Sequence, residues 1–385
     1  MAKKIIVLGG GMIGSAMCAD LSNDYDVTCA DYNNDVLISI ASKIKVKTLQ
    51  CDFSKADEVK KVIAPFDLVI GAVPGFLGFE VLKTIIESKK NCVDISFFPE
   101  DALLLDELAK KNDVTVVVDC GVAPGMCNMM AGYHYKRMKM TSYECLVGGL
   151  PVVRTKPFEY KAPFSPVDVI EEYTRPARYI ADGKLVTKEA LSEPELLNFE
   201  QVGTLESFNT DGLRSLALTM PDVPNMKEKT LRYPGHIDLM RIFRESGLFS
   251  KEKISLPLGE GRGGAAEVSP LEIFSKLLFK EWKYQPGEED FTIMRVTIEG
   301  EEANQKVKYV YDLYDRYNKE TGMMSMARTT GYTATAAVRL VAENKFTRKG
   351  ISPPEYVGED KACFDFVVKY LEDRKVFYKK EVFKN

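Results

Sequence analysis

The stretch KIIVLGGGMIG at residues 4–14 decides the fold: an apolar run ends in a glycine-rich turn and continues into a helix-like segment. Gly9 permits a tight turn, Gly11 lets a phosphate approach the backbone, and Gly14 lets helix and strand pack closely. A GxGxxG pattern alone is unspecific, but this one follows a strand and opens a helix. The context predicts a dinucleotide-binding turn, and a glycine-rich turn without a ligand is the alternative.

The same strand–helix unit repeats along the first 137 residues. Apolar runs begin near residues 4, 26, 45, 67, 91 and 114, and helix-like segments separate them. This alternation is typical of right-handed βαβ units that share a parallel sheet, and near-continuous apolar strands indicate that both faces are covered. The predicted fold class is α/β, with a doubly wound Rossmann sheet.

The rest of the chain changes character. Between residues 141 and 318, Asp182-Gly183 predicts a tight hairpin, and Phe291–Glu299 with Val307–Asp315 predict a longer one, so we expect a central α+β domain at residues 131–324 with a mainly antiparallel sheet. A small-residue helix after Thr329-Thr330-Gly331 has no sheet of its own, so residues 1–130 and 325–385 are expected to form one discontinuous cofactor-binding domain. GEGRGG at 259–264 predicts a flexible loop, and the Lys/Glu-rich C-terminus predicts a solvated helix face.

The ends of the predicted strands supply the cofactor site. Asp31 follows Gly14 by 17 residues, where a carboxylate accepts hydrogen bonds from the adenosine ribose and repels a 2′-phosphate, so NAD is expected rather than NADP; a solvated turn aspartate is the alternative. Asp52 is either an adenine-edge contact or a surface turn residue. The predicted cofactor-binding residues are Gly9, Gly11, Met12, Ile13, Gly14, Asp31, Tyr32, Asp52, Ala72, Val73, Pro74 and Gly121.

The composition excludes several classes of protein. Hydrophobic residues make up 45% and charged residues 28% of the 385 residues, which is typical of a globular chain and not of a disordered one. A net charge of −4 gives no reason to expect a nucleic-acid or membrane partner, and no apolar run approaches the ~20 residues of a membrane span. Eight cysteines without a CxxC pair, and only two histidines, favour reduced thiols, no metal site and a cytoplasmic location.

Five motifs carry a family resemblance. They are DCGVAPG at 119–125, GGLP at 148–151, TDGLRSL at 210–216, KTLRYPGH at 229–236 and SMARTTGY at 325–332. Over about residues 3–345 the sequence resembles the saccharopine dehydrogenase-like family, and within it the pattern is most similar to the lysine 6-dehydrogenases. The resemblance implies a Rossmann domain closed by C-terminal helices, and a central domain that binds an amino-acid substrate and forms a homodimer or larger homo-oligomer.

The resemblance also implies a reaction. NAD would oxidise the ε-amino carbon of L-lysine to 2-aminoadipate 6-semialdehyde, which cyclises to piperideine-6-carboxylate, with release of ammonia and NADH. A glutamate-forming saccharopine dehydrogenase or reductase, a polyamine-type reductase, and a dinucleotide-binding protein without catalysis are the alternatives. Two features weigh against the saccharopine enzymes: Asp31 disfavours the NADP that they usually use, and Val147 stands where they commonly carry cysteine.

The family pattern places Arg214 and Arg232 in the substrate pocket, and a guanidinium fork suits an amino-acid carboxylate; either could instead form a structural ion pair. The ε-ammonium, with a pKa of about 10.4, must lose a proton before hydride leaves the carbon, so the site needs a base or desolvation. Asp119, at the end of the sixth strand, is the predicted base, unless its side chain braces the loop. His134 and His236 are expected to be structural.

Overall fold

The computed structural model describes residues 3–257 and 265–384. Strands and helices alternate over the first third of the chain. They are β1 Lys4–Leu8, α1 Met12–Leu21, β2 Asp26–Asp31, α2 Asn34–Lys43, β3 Lys47–Gln50, α3 Ala56–Ile63, β4 Leu68–Gly71, α4 Gly75–Glu87, β5 Asn91–Asp94, a 3-10 helix at Ala102–Leu105, α5 Asp106–Lys111, β6 Thr115–Val117 and α6 Met126–Tyr135.

These strands form a parallel sheet with a seventh strand, β17 (Gly350–Ser352), in the order β17-β6-β5-β4-β1-β2-β3. Ile5 and Val7 of β1 pack into one hydrophobic cluster, and Ile6 and Leu8 pack into another. Successive side chains of a strand point to opposite faces, so both faces of the sheet are covered, which explains the unbroken apolar run. The predicted α/β fold class is confirmed.

The central part of the chain builds a second sheet. Its elements are β7 Lys139–Pro151, α7 Pro166–Thr174, β8 Ala177–Ala181, β9 Lys184–Lys188, β10 Glu195–Phe199, β11 Gly203–Asn209, α8 Leu216–Thr219, β12 Asn225–Arg232, α9 His236–Glu245, β13 Ile254–Pro257, β14 Ala265–Val268, α10 Pro270–Trp282, β15 Asp290–Glu302 and β16 Gln305–Arg316. With β18 (Tyr378–Lys384), the strand order is β10-β11-β12-β7-β15-β16-β18, with β8 beside β12 and β9 beside β8. β12 and β7 are parallel, and the other pairs are antiparallel. β13 and β14 pair only with each other, in a separate two-stranded sheet. Both predicted hairpins are present, as β8–β9 and β15–β16.

The C-terminal segment adds α11 Ser325–Ala342, β17, α12 Pro354–Glu359, α13 Lys361–Asp373 and β18 Tyr378–Lys384. The predicted start of α11 after Gly331 is wrong. The helix already begins at Ser325, and Thr329 and Thr333 fit inside it because their hydroxyls donate to carbonyl oxygens four residues earlier, at 3.0 and 2.8 Å. α11 packs against α1.

The predicted helix face at the C-terminus is also wrong, because residues 378–384 pair with β16 as a strand of the second sheet. The proposed discontinuous domain stays a prediction: β17 lies in the parallel sheet, whereas β18 lies in the other one. The predicted loop at 259–264 falls outside the described residues. Within the described ranges, no helix combines the length and apolar character needed to cross a membrane.

Candidate active site

A cavity of about 630 Å³ lies between the two sheets, beyond the carboxyl ends of β1, β2 and β4 and against β7 and β12. All twelve residues predicted to bind the cofactor line it, and so do Asp119 and Arg232. Arg214 is not among the described lining residues; it lines a separate cavity of about 120 Å³ that shares Asp119 with the larger one. The roles predicted for these residues stay predictions, but most of them meet in one place.

The glycine turn has the geometry that a dinucleotide requires. Gly9 has φ +112°, and a Cβ there would overlap the carbonyl oxygen of Ala72. A Cβ on Gly14 would overlap the carbonyl oxygen of Gly9, so packing demands glycine at both positions. A Cβ on Gly11 would meet no atom within 4 Å, because Gly11 faces open space just before α1. The turn therefore leaves room for a pyrophosphate at the N-terminus of a ten-residue helix.

Asp31 closes this end of the cavity. Its carboxylate accepts hydrogen bonds from the backbone N–H groups of Gly10, at 2.6 Å, and Asn33, at 2.8 Å. Of the described lining residues, only Arg175 and Arg232 are basic, and they lie after α7 and at the end of β12, not beside β2. Asp31 therefore brings a negative charge to this end of the cavity, and none of the described basic lining residues lies beside it.

Asp119 and Arg214 form a buried, two-pronged ion pair. Arg214 donates from Nε and Nη2 to the two Asp119 oxygens, both at 3.0 Å, and from Nη1 to the carbonyl oxygen of Phe98 at 2.8 Å. The side chains are only 6% and 5% exposed, and both residues have positive φ, 50° and 51°. Such backbone strain costs about 1–3 kcal/mol per residue and persists where surrounding structure enforces it.

This pair changes how the two residues are interpreted. The guanidinium fork of Arg214, expected to hold a substrate carboxylate, is filled by Asp119 and lies outside the main cavity wall. Asp119, expected to be the base, already accepts at both oxygens. The geometry favours the alternative in which Asp119 braces the loop after β6.

Arg232 does reach the cavity, but its guanidinium is also engaged. Nε donates to the hydroxyl of Tyr173 at 3.0 Å, Nη1 to the carbonyl oxygen of Leu231 at 3.0 Å, and Nη2 to Oε2 of Glu172. Its side chain is buried. Burial raises the pKa of Glu172, and Arg232 opposes that rise.

Arg175, which sequence reasoning missed, offers a free donor. The residue lines the cavity, and its buried Nη1 has no hydrogen-bond partner among the described residues. Its guanidinium lies 5.1 Å from the centre of the Phe97 ring, and Arg214 contacts the same ring at 4.9 Å. No sequence motif surrounds Arg175. The residue lies at the cavity because α7 packs against the loop after β5, and the sequence alone does not show that contact.

Acidic side chains dominate the wall opposite the glycine turn. Six of them line it: Asp119, Asp168, Glu171, Glu172, Asp211 and Glu228. Asp211 pairs with Arg178 at 2.8 Å, and burial raises the pKa of Asp168 to about 6. Glu228 differs, since its buried Oε2 has no hydrogen-bond partner within the described part of the chain. Four of the six, Asp119, Glu171, Glu172 and Asp211, already pair with an arginine, so Asp168 and Glu228 are the carboxyl groups of this wall without an ion pair among the described residues. Carboxyl groups of this kind favour a ligand that carries a cation.

Neither histidine lines the cavity. His134 bonds the Tyr311 hydroxyl at 2.8 Å, and His236 bonds the Tyr173 hydroxyl at 3.1 Å. Burial lowers the pKa of both to about 3, so both are neutral at neutral pH.

The eight cysteines are free and buried. Among residues 3–257 and 265–384, no group of three or more His, Cys, Asp or Glu could hold a metal ion.

Two family models together match most of the chain. The model described as "Saccharopine dehydrogenase NADP binding domain" matches residues 5–117, and the one described as "Saccharopine dehydrogenase C-terminal domain" matches residues 121–376. The division between them falls in the loop after β6, which holds Asp119.

The similar proteins carry two names, alpha-aminoadipic semialdehyde synthase and saccharopine dehydrogenase. The mitochondrial alpha-aminoadipic semialdehyde synthase of Rattus norvegicus is 24% identical over 91% of this chain, which spans only 45% of the rat protein. Saccharopine dehydrogenase [NADP(+), L-glutamate-forming] of Saccharomyces cerevisiae is 22% identical to this chain, and the alignment covers 99% of both proteins. The structure of the apo yeast saccharopine dehydrogenase (L-Glu forming) matches with a TM-score of 0.78 at 20% identity, over 99% of this chain and 100% of that one. At this identity, the structural match shows a shared fold.

Proposed function

Because the chain belongs to the saccharopine dehydrogenase family, we propose that it oxidises the ε-amino carbon of L-lysine with NAD. The products are NADH, ammonia and 2-aminoadipate 6-semialdehyde, which cyclises to piperideine-6-carboxylate. The observation that carries this proposal is the set of charged groups in the cavity: Arg175 and Arg232 line it, and the lining carboxyl groups of Asp168 and Glu228 have no ion pair among the described residues. Lysine brings two ammonium groups and one carboxylate, which matches these charged groups.

The charged groups of the cavity also weigh against saccharopine and against a polyamine as the substrate. Saccharopine carries three carboxylates, and the two lining arginines already contact Glu171 and Glu172. A polyamine carries no carboxylate and would leave the free Nη1 of Arg175 without a partner. Placing the lysine carboxylate at Arg175 and Arg232, and its ammonium groups along the acidic wall, satisfies both kinds of group.

NAD is proposed over NADP, although the family model and the yeast relative carry NADP in their names. Support comes from the Asp31 carboxylate and the absence of a basic residue beside it among the described lining residues. When bound, the nicotinamide supplies a hydride acceptor. Gly11 and α1 would hold the pyrophosphate, Asp31 the adenosine ribose, and Val73 and Pro74 the ribose at the other end. Assembly into a homodimer or larger homo-oligomer stays a prediction.

A substrate and cofactor screen tests the proposal. Purified protein is mixed with NAD or NADP and either L-lysine or saccharopine, and formation of the reduced cofactor is followed by absorbance. We expect the fastest reduction with NAD and L-lysine, with ammonia released in equal amount. Faster reduction with saccharopine would favour the glutamate-forming reaction, and no reduction with any pair would favour a protein that binds dinucleotide without catalysis.

A further inference from the structure

Among the described acidic residues of the cavity wall, Glu228 has a buried carboxyl oxygen without a hydrogen-bond partner, and we propose that it binds the substrate's ammonium group and takes its proton. In this step an N–H bond of the ammonium breaks, an O–H bond forms on the Glu228 carboxylate, and the nitrogen keeps the electron pair. The inference rests on the proposed function, because it takes the ligand of the cavity to be an amine.

The position of Glu228 is fixed by the second sheet. It lies in β12, between β11 and β7, in parallel register with Cys145. The residue is 7% exposed and lines the cavity, and its Oε2 is buried with no hydrogen-bond partner among the described residues. A buried carboxyl group without a partner is costly, so its presence in a cavity wall points to a ligand that completes it.

Gly212 makes room for this carboxyl group. A Cβ on Gly212 would overlap Cδ and both carboxyl oxygens of Glu228. The φ of Gly212 does not fall in the range that L side chains avoid, so space, and not backbone conformation, requires glycine there. The glycine of the TDGLRSL motif is therefore explained by space, because any larger side chain would displace the Glu228 carboxyl group from the cavity wall.

The surroundings of Glu228 disfavour its negative charge. The titratable and charged groups around it are Cys127 of α6, Tyr143 and Cys145 of β7, Glu172 of α7, and Asp211 and Arg214 of the loop after β11. Burial raises the pKa of Glu228 well above its ordinary value, nearby acidic groups raise it further, and Arg214 opposes them. An arriving ammonium supplies the positive charge that the site lacks, so the carboxyl group ionises when the amine binds.

Asp119 cannot perform this task as readily. Both of its oxygens accept hydrogen bonds from Arg214, and a base needs an oxygen that is free to accept from the substrate. The two carboxylates therefore have different roles. Asp119 positions the loop at the cofactor end, and Glu228 accepts the proton of the substrate's ammonium group.

Proton release on binding tests the assignment without relying on turnover. L-lysine is titrated by calorimetry into protein saturated with NADH, at neutral pH, in two buffers of different ionisation enthalpy. Wild type should release protons when lysine binds, and Glu228→Gln should release none. Glu144→Gln is the matched control, since Glu144 lies on the neighbouring strand, pairs with Lys227 at 3.0 Å and does not line the cavity; it should behave as wild type. Equal release in Glu228→Gln and wild type, or none in either, overturns the proposal.

Stability without ligand provides a second readout. Because the folded state holds the Glu228 proton more tightly than the unfolded state does, ionisation of Glu228 destabilises the fold as pH rises. Glu228→Gln should therefore melt above wild type, by a margin that widens as the pH rises above about 4.3, the pKa of a glutamate in the unfolded chain. A variant that fails to fold, or that melts below wild type at the higher pH, contradicts the assignment.

Kinetics separate this inference from the proposed function. If wild type reduces NAD with lysine, Glu228→Gln should lose about 100-fold or more in kcat/KM and lose the rise of activity with pH. Turnover that is unchanged in Glu228→Gln rejects the role of Glu228 alone. Proton release by a wild-type protein that reduces no NAD keeps that role and rejects the reaction.

Discussion

At the scale of single residues, the proposed preference for NAD over NADP rests on Asp31. Asp31→Ala removes an acceptor for the ribose hydroxyls and the negative charge that opposes a 2′-phosphate. Hydrogen bonds to charged groups contribute about 1.5–3 kcal/mol, so kcat/KM with NAD should fall roughly 10- to 100-fold while the preference shifts toward NADP. Steady-state kinetics with both cofactors measure this shift. Asp35→Ala makes the same charge change at an exposed position in α2 and should leave the preference intact. Equal or better turnover of wild type with NADP contradicts the prediction.

The two predicted arginines should respond differently to the same substitution. Lysine cannot reproduce a guanidinium fork, so Arg232→Lys disturbs the cavity wall formed with Tyr173 and Glu172, and should raise the KM for lysine about 10-fold or more. Arg214→Lys weakens the hold on Asp119 and should lower Tm more than it changes KM. Thermal melts and steady-state kinetics on both variants separate the effects. Near-wild-type kcat/KM in both would reject any part for these arginines in holding the substrate carboxylate.

What could be predicted for single residues depended on how local their chemistry is. The glycine turn and Asp31 could be predicted because strand, turn and helix lie within about 30 residues of one another, as in every βαβ unit. The ion pair of Asp119 with Arg214 joins residues 95 positions apart. No sequence pattern shows that the Asp119 carboxylate occupies the donors of the Arg214 guanidinium. Arg175 and Glu228 were missed for the same reason: their importance lies in lacking a partner, which only the packed structure reveals.

At the scale of elements, the βα repeats could be predicted because each strand is covered on both faces and is therefore apolar throughout. β18 could not be predicted as a strand, since its Lys/Glu-rich sequence is equally compatible with a solvated helix. The segment is a strand in the structure because it pairs with β16 at the edge of the second sheet. The start of α11 was placed too late because threonine and glycine usually end helices, whereas here threonine hydroxyls bond back to the helix itself.

The crossing of α6 and α12 gives a prediction at the same scale. A Cβ on Gly132 would overlap the carbonyl oxygen of Glu355, and a Cβ on Gly358 would overlap that of Met129, so each helix needs glycine where the other passes. Gly132→Ala should therefore destabilise the protein by about 1–3 kcal/mol, measured by denaturant unfolding. Gly331→Ala is the control, because a Cβ there would lie 3.4 Å from Met17, an ordinary contact, and α11 gains helix propensity. Gly132→Ala as stable as Gly331→Ala would contradict this account.

At the scale of the whole molecule, the C-terminal segment ties the two sheets together. α11 packs on α1, β17 extends the parallel sheet beside β6, and β18 then joins the second sheet beside β16. Asp20 of α1 accepts from Arg374 at 2.6 Å and from the hydroxyls of Thr335 and Tyr370, each at 2.5 Å. The cavity lies between the sheets, so its shape depends on a segment that is remote in sequence from the glycine turn.

This dependence gives the last prediction. A chain that ends at residue 324 lacks α11 and β17, so the buried face of α1 is exposed and Asp20 loses all three partners. We expect this chain to misfold or to lose NAD binding, as measured by circular dichroism and by NADH fluorescence titration. A chain that ends at residue 376 removes only β18 from the edge of the second sheet, and should bind NAD as the full chain does. Normal NAD binding by the 324-residue chain would show that the cofactor-binding domain does not need residues 325–385, and the discontinuous domain would be wrong.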